Sequence, residues 1–128
     1  MRHDIISDVM FVIGNNEKTG KPFCMVPASK LVKSVLDVMQ KSGYIGKIEF
    51  IDDGKSGRYQ VELIGKVNTS SVIKPRFAVG KNEFEKWEKR FLPSKGAGIL
   101  IVSTPKGIMT HNDAKAMGIG GRLVSYVC

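Results

Sequence analysis

The chain has 128 residues, 42% of them hydrophobic, and a formal net charge of +8. That apolar share excludes a disordered basic tail and requires a folded body, either one compact unit or two small lobes sharing a core. The positive balance selects a polyanionic partner, nucleic acid or an anionic membrane surface.

Ile5, Ile6, Val9, Met10 and Ile13 recur at helical spacing, so a first helix is expected from Asp4 to Ile13, stopped by Gly14 and Asn15. Asn15 to Lys21 reads as a polar loop, and Phe23-Cys24-Met25-Val26 as a short strand ending at Pro27. Ser29 is placed to cap a second helix that carries Leu31, Val32, Val35, Leu36 and Met39 on one side and ends at Gly43. Two strands, Tyr44 to Ile51 and Arg58 to Ile64, follow, with Asp52-Asp53-Gly54-Lys55-Ser56-Gly57 as the turn between them.

Gly65 to Ser71 is polar and aperiodic, which marks a lobe boundary. Val72 to Val79 is mostly apolar but holds Pro75, as an edge strand can. Asn82 is expected to cap a short helix with Phe84, Trp87 and Phe91 on one face, blocked by Pro93. Gly96 and Gly98 lead into the apolar strand Ile99-Leu100-Ile101-Val102. Thr110 and Asp113 form a capping-box pattern for a last helix ending at Gly118, and Leu123 to Val127 closes the chain as a strand. The reading is an α+β fold of two lobes. Residues 1–65 form an N-terminal α-β-α-β-β unit, and residues 66–128 a mainly β lobe with short helices.

Charge separates the halves. Residues 1–65 carry nine Lys/Arg against eight Asp/Glu, a net of +1, whereas residues 66–128 carry eleven against four, a net of +7. The polyanion surface is therefore expected in the second half, with fewer than half of its cations touching the partner. Membrane is set aside, because no apolar run approaches the ~20 residues needed to span a bilayer. The opening Met1-Arg2-His3-Asp4 is not read as a secretory or transit signal, and the two isolated thiols, Cys24 and Cys128, suit a reducing compartment. A cytoplasmic protein is expected.

The segment Ser103-Thr104-Pro105-Lys106-Gly107 sits at the mouth of the strand 99–102 and concentrates the chemistry. Hydroxyls and backbone N–H groups donate hydrogen bonds, lysine neutralises phosphate, and glycine lets a backbone come close. Composition alone would also allow a plain surface turn; the +7 half-chain decides for a phosphate-sugar backbone.

Other chemistries fail on placement. Gly118-Ile119-Gly120-Gly121 follows a helix and precedes a strand, the reverse of a dinucleotide fingerprint, so these glycines are read as a helix cap and a close backbone approach. His3, His111, Cys24 and Cys128 lack metal-ligand spacing, and His111 is expected to be exposed or RNA-facing. Ser103 and Cys24 have no nucleophile context, and Asp52-Asp53 reads as a turn. Trp87 with its phenylalanines, and Tyr44, Tyr59 and Tyr126, read as core or rim, which favours recognition of folded RNA by shape over a stacking platform. No catalysis, metal, cofactor or small-molecule substrate is expected.

The chain resembles the small-subunit ribosomal protein eight family. The resemblance is carried by Val102-Ser103-Thr104-Pro105-Lys106-Gly107-Ile108-Met109-Thr110, Gly118-Ile119-Gly120-Gly121, Ala28-Ser29-Lys30-Leu31, Ser42-Gly43-Tyr44-Ile45-Gly46 and Ile73-Lys74-Pro75-Arg76-Phe77. Phe84-Glu85-Lys86-Trp87 through Leu92-Pro93-Ser94 looks like its archaeal and eukaryotic branch. The resemblance implies small-subunit rRNA and neighbouring ribosomal proteins as partners, with a role in assembling the rRNA central domain. It also implies that Ser103 to Gly107 holds a distorted helical junction, with Thr110, Gly120, Gly121, Arg122, Lys74 and Arg76 beside it. A second rRNA helix is implied at Arg2, His3, Asp4, Ser29 and Lys30. Pro105 stands where a small hydroxyl residue is common, and Arg122 where acid or lysine is frequent. An off-ribosome binder of messenger RNA would use the same surface and stays open as the alternative.

Overall fold

The computed structural model describes residues 5–93 and 97–128. Its first helix, α1 (Ile5–Lys18), buries Ile6, Val9, Met10 and Ile13 as the spacing requires, but it runs four residues past Gly14. Gly14 is there for close packing: a Cβ on it would stand 3.0 Å from Ser70 Oγ, whose hydroxyl donates to the Met10 carbonyl at 2.8 Å. The expected stop is thus a contact point, and Asn15 to Lys18 is helix instead of loop.

β1 (Phe23–Pro27) leads to α2 (Lys30–Lys41), where Ser29 Oγ accepts the Val32 N–H at 3.1 Å as the N-cap. Gly43, at φ +82°, ends α2 as expected, and the Tyr44 N–H returns to the Met39 carbonyl. β2 (Ile45–Ile51) and β3 (Arg58–Leu63) form the expected hairpin. Its turn is built by Asp52, which accepts the Gly54 N–H, and Asp53, which accepts those of Lys55 and Gly57. The antiparallel sheet order is β1-β3-β2.

The connection to the second half is tied down at both ends. Glu17 at the end of α1 accepts the N–H groups of Gly65 and Val67, and the Cys128 carbonyl accepts those of Asn68 and Thr69. The second sheet then comprises β4 (Ser70–Val72), β5 (Ala78–Val79), β6 (Ile99–Thr104), β7 (Gly107–Thr110) and β8 (Gly121–Val127). Its order is β4-β8-β6-β7, with β5 also on β8. Pro75 breaks the expected edge strand into these two short pieces, β4 and β5.

α3 (Phe84–Phe91) starts at Glu83 and not at Asn82; the Glu83 carboxylate turns back to the Gly80 N–H at 2.8 Å. Leu92 is extended ahead of Pro93, which ends the helix. α4 (His111–Met117) has the expected caps: Thr110 Oγ1 accepts the Asp113 N–H at 3.1 Å, and Gly118 closes at φ +68°.

The central strand is β6. Ile99 and Ile101 join the core formed by α1, α2, β1 and β3, together with Val124 and Val127, while Leu100 and Val102 join a second core with Phe84, Trp87, Ala114 and Leu123. β6 is therefore buried on both faces, which explains why its sequence does not alternate.

Gly121 sits where β8 presses on β6: an added Cβ would lie 2.3 Å from the Ser103 carbonyl oxygen and 2.8 Å from Val102 Cγ1. Both obstacles belong to the core strand and cannot swing aside. Gly121→Ala is expected to destabilise the fold by about 1–3 kcal/mol through overpacking alone, read as a lower urea midpoint. An unchanged midpoint would show that the two strands are free to separate there.

Candidate nucleic-acid interface

The segment expected as a loop is a hairpin. β6 continues through Ser103 and Thr104, β7 begins at Gly107, and only Pro105 and Lys106 lie between the paired residues Thr104 and Gly107. The Thr104 hydroxyl shapes this turn, donating to the Gly107 carbonyl at 2.8 Å and accepting the Lys106 N–H at 3.1 Å. Gly107 takes φ +116°, a conformation that favours glycine. β7 escaped the sequence reading because Ile108-Met109 is too short to establish a period and runs directly into the Thr110 cap.

The pairing register assembles the rest. Ser103 pairs with Ile108 on one side and Arg122 on the other, and Arg122 pairs with Ala78 beyond it. Directly paired residues share a face, so Ser103 and Arg122 project together. Both are exposed, as are Pro105, Lys106 and Gly107. Arg122 is steadied by donating from Nη1 to the Arg76 carbonyl at 3.3 Å. Gly120 lets β8 approach β5: its Cβ would fall 2.3 Å from the Val79 carbonyl oxygen. Lys74 and Arg76 are exposed on the crossing between β4 and β5.

Other expected site residues lie elsewhere or face inward. Thr110 is buried and its hydroxyl caps α4. Ser29 is likewise occupied as the cap of α2, and Lys30 is exposed beside it. That end of α2 is tied to the β2–β3 turn, where the Ala28 N–H reaches the Gly57 carbonyl at 3.1 Å. Arg2, His3 and Asp4 lie outside the described residues.

His111 corrects the expectation of an exposed ring. It is 2% exposed, because its imidazole extends the β6 ladder where β7 ends: Nδ1 accepts the Leu100 N–H at 3.0 Å. The proton therefore sits on Nε2, which donates to Glu88 Oε1 at 2.8 Å. Glu88 Oε2 in turn accepts from Lys115 Nζ at 2.8 Å, so one carboxylate of α3 holds both ends of the first turns of α4. Burial pushes the His111 pKa below its ordinary value, with Lys115 helping and Glu88 opposing. Burial also works against the Glu88 charge, but the bond and charge of Lys115, with those of His111, outweigh it and hold Glu88 low. Only the i,i+4 pair His111 and Lys115 hinted at this in the sequence, and their partner stands 23 residues before His111.

The chain matches the family model of Ribosomal protein S8 over residues 4–128. It belongs to that family. A ribosomal protein S8 is a small-subunit, rRNA-binding ribosomal protein of translation, and the family is structural, not enzymatic. The antiparallel sheets and four helices of the described residues accord with the α+β expectation. No helix among them is long and apolar enough to cross a membrane. Cys24, weighed above as a nucleophile, is buried with its thiol pushed up to about 11 by burial and then by Glu17, so it stays protonated at neutral pH.

The buried histidine ties this ribosomal protein's stability to pH. The unfolded chain protonates His111 near pH 6.5, whereas the folded chain resists until lower pH, so stability falls as pH drops below about 6.5. The Glu88 contribution is lost further down, as pH falls through its own lowered value. His111→Phe leaves the Leu100 N–H and the Glu88 carboxylate without this partner. It should cost about 1–3 kcal/mol at pH 7. Urea titrations should then show a shallower loss between pH 7 and pH 5.5 than in the parent chain; equal slopes would remove His111 from the account.

Proposed function

We propose that this ribosomal protein fixes a distorted helical junction in the central domain of small-subunit rRNA, during assembly and in the mature subunit. The observation that carries the reading is the joint exposure of Ser103 and Lys106, on a hairpin whose base is buried on both faces, and of Arg122, paired with Ser103 from β8. Such a hairpin meets a polyanion without first having to be ordered, so little affinity is lost to immobilising it. Lys106, Arg122, Lys74 and Arg76 supply charge toward phosphates, and the Ser103 hydroxyl supplies a directional partner for one RNA shape.

Roles divide by what each side chain already does. Thr104 and Thr110 act indirectly, the first by shaping the turn and the second by capping α4 beside it. Pro105 brings no N–H donor, and its ring stiffens the turn. Gly120 and Gly121 keep β8 close enough for Arg122 to stand next to Ser103. The start of α2, with Ser29 and Lys30, is proposed as the contact to a second rRNA helix, together with Arg2, His3 and Asp4. Neighbouring ribosomal proteins complete the partners, with no membrane and no small molecule.

Two substitutions test this division on a junction RNA and a regular duplex of equal length. Lys106→Ala should weaken both and flatten the dependence of log affinity on log salt by roughly 0.7–0.9, the share of one phosphate contact. A slope identical to that of the parent would mean that Lys106 does not touch the backbone. Ser103→Ala should weaken the junction by about 1 kcal/mol while leaving the duplex unchanged. Equal losses on both would remove its specific role.

A further inference from the structure

At the opposite end of β6 from the hairpin lies a groove of about 730 Å³. Tyr44, Phe91 and Tyr126 each show part of a ring to it, and Lys66 and Arg90 stand exposed at its rim. Its volume falls within the roughly 300–1,000 Å³ of small-ligand sites. The aromatic residues were expected to be core or rim: Trp87 is core, and Tyr44, Phe91 and Tyr126 stand at the rim.

The rings form a continuous stack. Phe77 and Trp87 lie 4.6 Å apart, Trp87 and Phe91 6.2 Å, and Phe91 and Tyr126 5.5 Å, with interplanar angles of 27°, 11° and 28°. Trp87 is buried, so the core end of the stack holds the open end in place. The Arg90 guanidinium lies over three of these rings, 5.2 Å from Phe77, 5.3 Å from Trp87 and 5.4 Å from Phe91. Its cation is thereby held at the surface in a fixed plane.

Charge favours an anionic occupant. Among the described residues, no Asp or Glu side chain lines the groove. Lys66 and Arg90 supply positive charge at its rim, and the Cys128 carbonyl oxygen is already bonded by the N–H groups of Asn68 and Thr69 at 2.7 and 2.9 Å. Half-open rings beside two cations suit a base to stack and a phosphate to neutralise, the combination that single-stranded RNA offers and a duplex, its bases already stacked, does not.

We propose that this groove is a second RNA subsite, binding an unstacked nucleotide of a single-stranded segment between the Phe91–Tyr126 rings and the Lys66–Arg90 cations. It rests on RNA being the partner, but not on which hairpin residues touch it. The strand between the two sites spans about 17 Å, so one RNA can reach both.

The test titrates the full-length chain with single-stranded hexaadenylate, with AMP and with a blunt RNA duplex, following anisotropy and the fluorescence of its one tryptophan. Hexaadenylate should bind and change Trp87 emission, and AMP should bind at least about a hundredfold more weakly. Arg90→Gln and Lys66→Gln, made singly because Arg90 also packs on rings, should each weaken the hexamer by about tenfold. Lys47→Gln, at an exposed position of β2 outside both sites, should move it less than twofold. The proposal is overturned if hexaadenylate does not bind, if AMP binds as tightly, if Lys66→Gln weakens the duplex as much as the hexamer, or if Lys66→Gln leaves the hexamer affinity unchanged. It is overturned equally if Lys47→Gln causes the same loss, which would put the single strand outside the groove. The junction reading fails by a different result, on a different RNA.

Discussion

Ile99 and Ile101 face one core while Leu100 and Val102 face another, and this two-sided burial of β6 is the constraint on which the molecule depends. A slip of one residue would exchange the two sets between cores of different shape, so the register is strongly fixed. Because Ser103 and Thr104 continue the same strand, their position is set by the core and not by the turn. The same strand joins the first-half helices to the second-half helices, since α1 and α2 pack on one side of it and α3 and α4 on the other.

Smaller devices adjust what the strand positions. Gly120 and Gly121 remove side chains where β8 must touch β5 and β6, which brings Arg122 into the row with Ser103. The Glu88 carboxylate joins α3 to α4 through His111 and Lys115, and the imidazole supplies the acceptor that β7 is too short to provide to Leu100. The two His111 contacts are buried or half-buried, so breaking either would leave its partner with an uncompensated cost. The side chains proposed to face RNA are exposed ones, whereas the hydroxyls of Thr104, Thr110 and Ser29 are committed to turns and caps.

Much of this was legible because local signals agreed. Ser29 and Thr110 were readable as caps because a hydroxyl precedes a helical apolar period, and Gly43 and Gly118 as stops because nothing periodic follows them. Gly14 misled because a helix-interior glycine and a terminal one look alike in sequence, and its reason, Ser70, is 56 residues away. Glu83 replaced Asn82 at the head of α3 with a carboxylate that accepts the Gly80 N–H, a bond that propensity does not encode. His111 was misplaced for a related reason: burial of an imidazole is decided by partners on β6 and α3. The hairpin residues Ser103, Lys106 and Gly107 were found by composition, but their meeting with Arg122 is a matter of register, visible only once β6 and β8 are paired.

In the proposed reading, RNA meets a surface whose shape is settled before it arrives, the positive charge of residues 66–128 drawing the polyanion in and the Ser103 hydroxyl sorting its conformation. Protein–RNA cross-linking within assembled small subunits, mapped residue by residue on both partners, tests that claim most directly. The account predicts cross-links from Ser103, Lys106 and Arg122 that converge on one distorted junction of the rRNA. Cross-links from those three residues to neighbouring protein, or spread along a regular duplex, would contradict it.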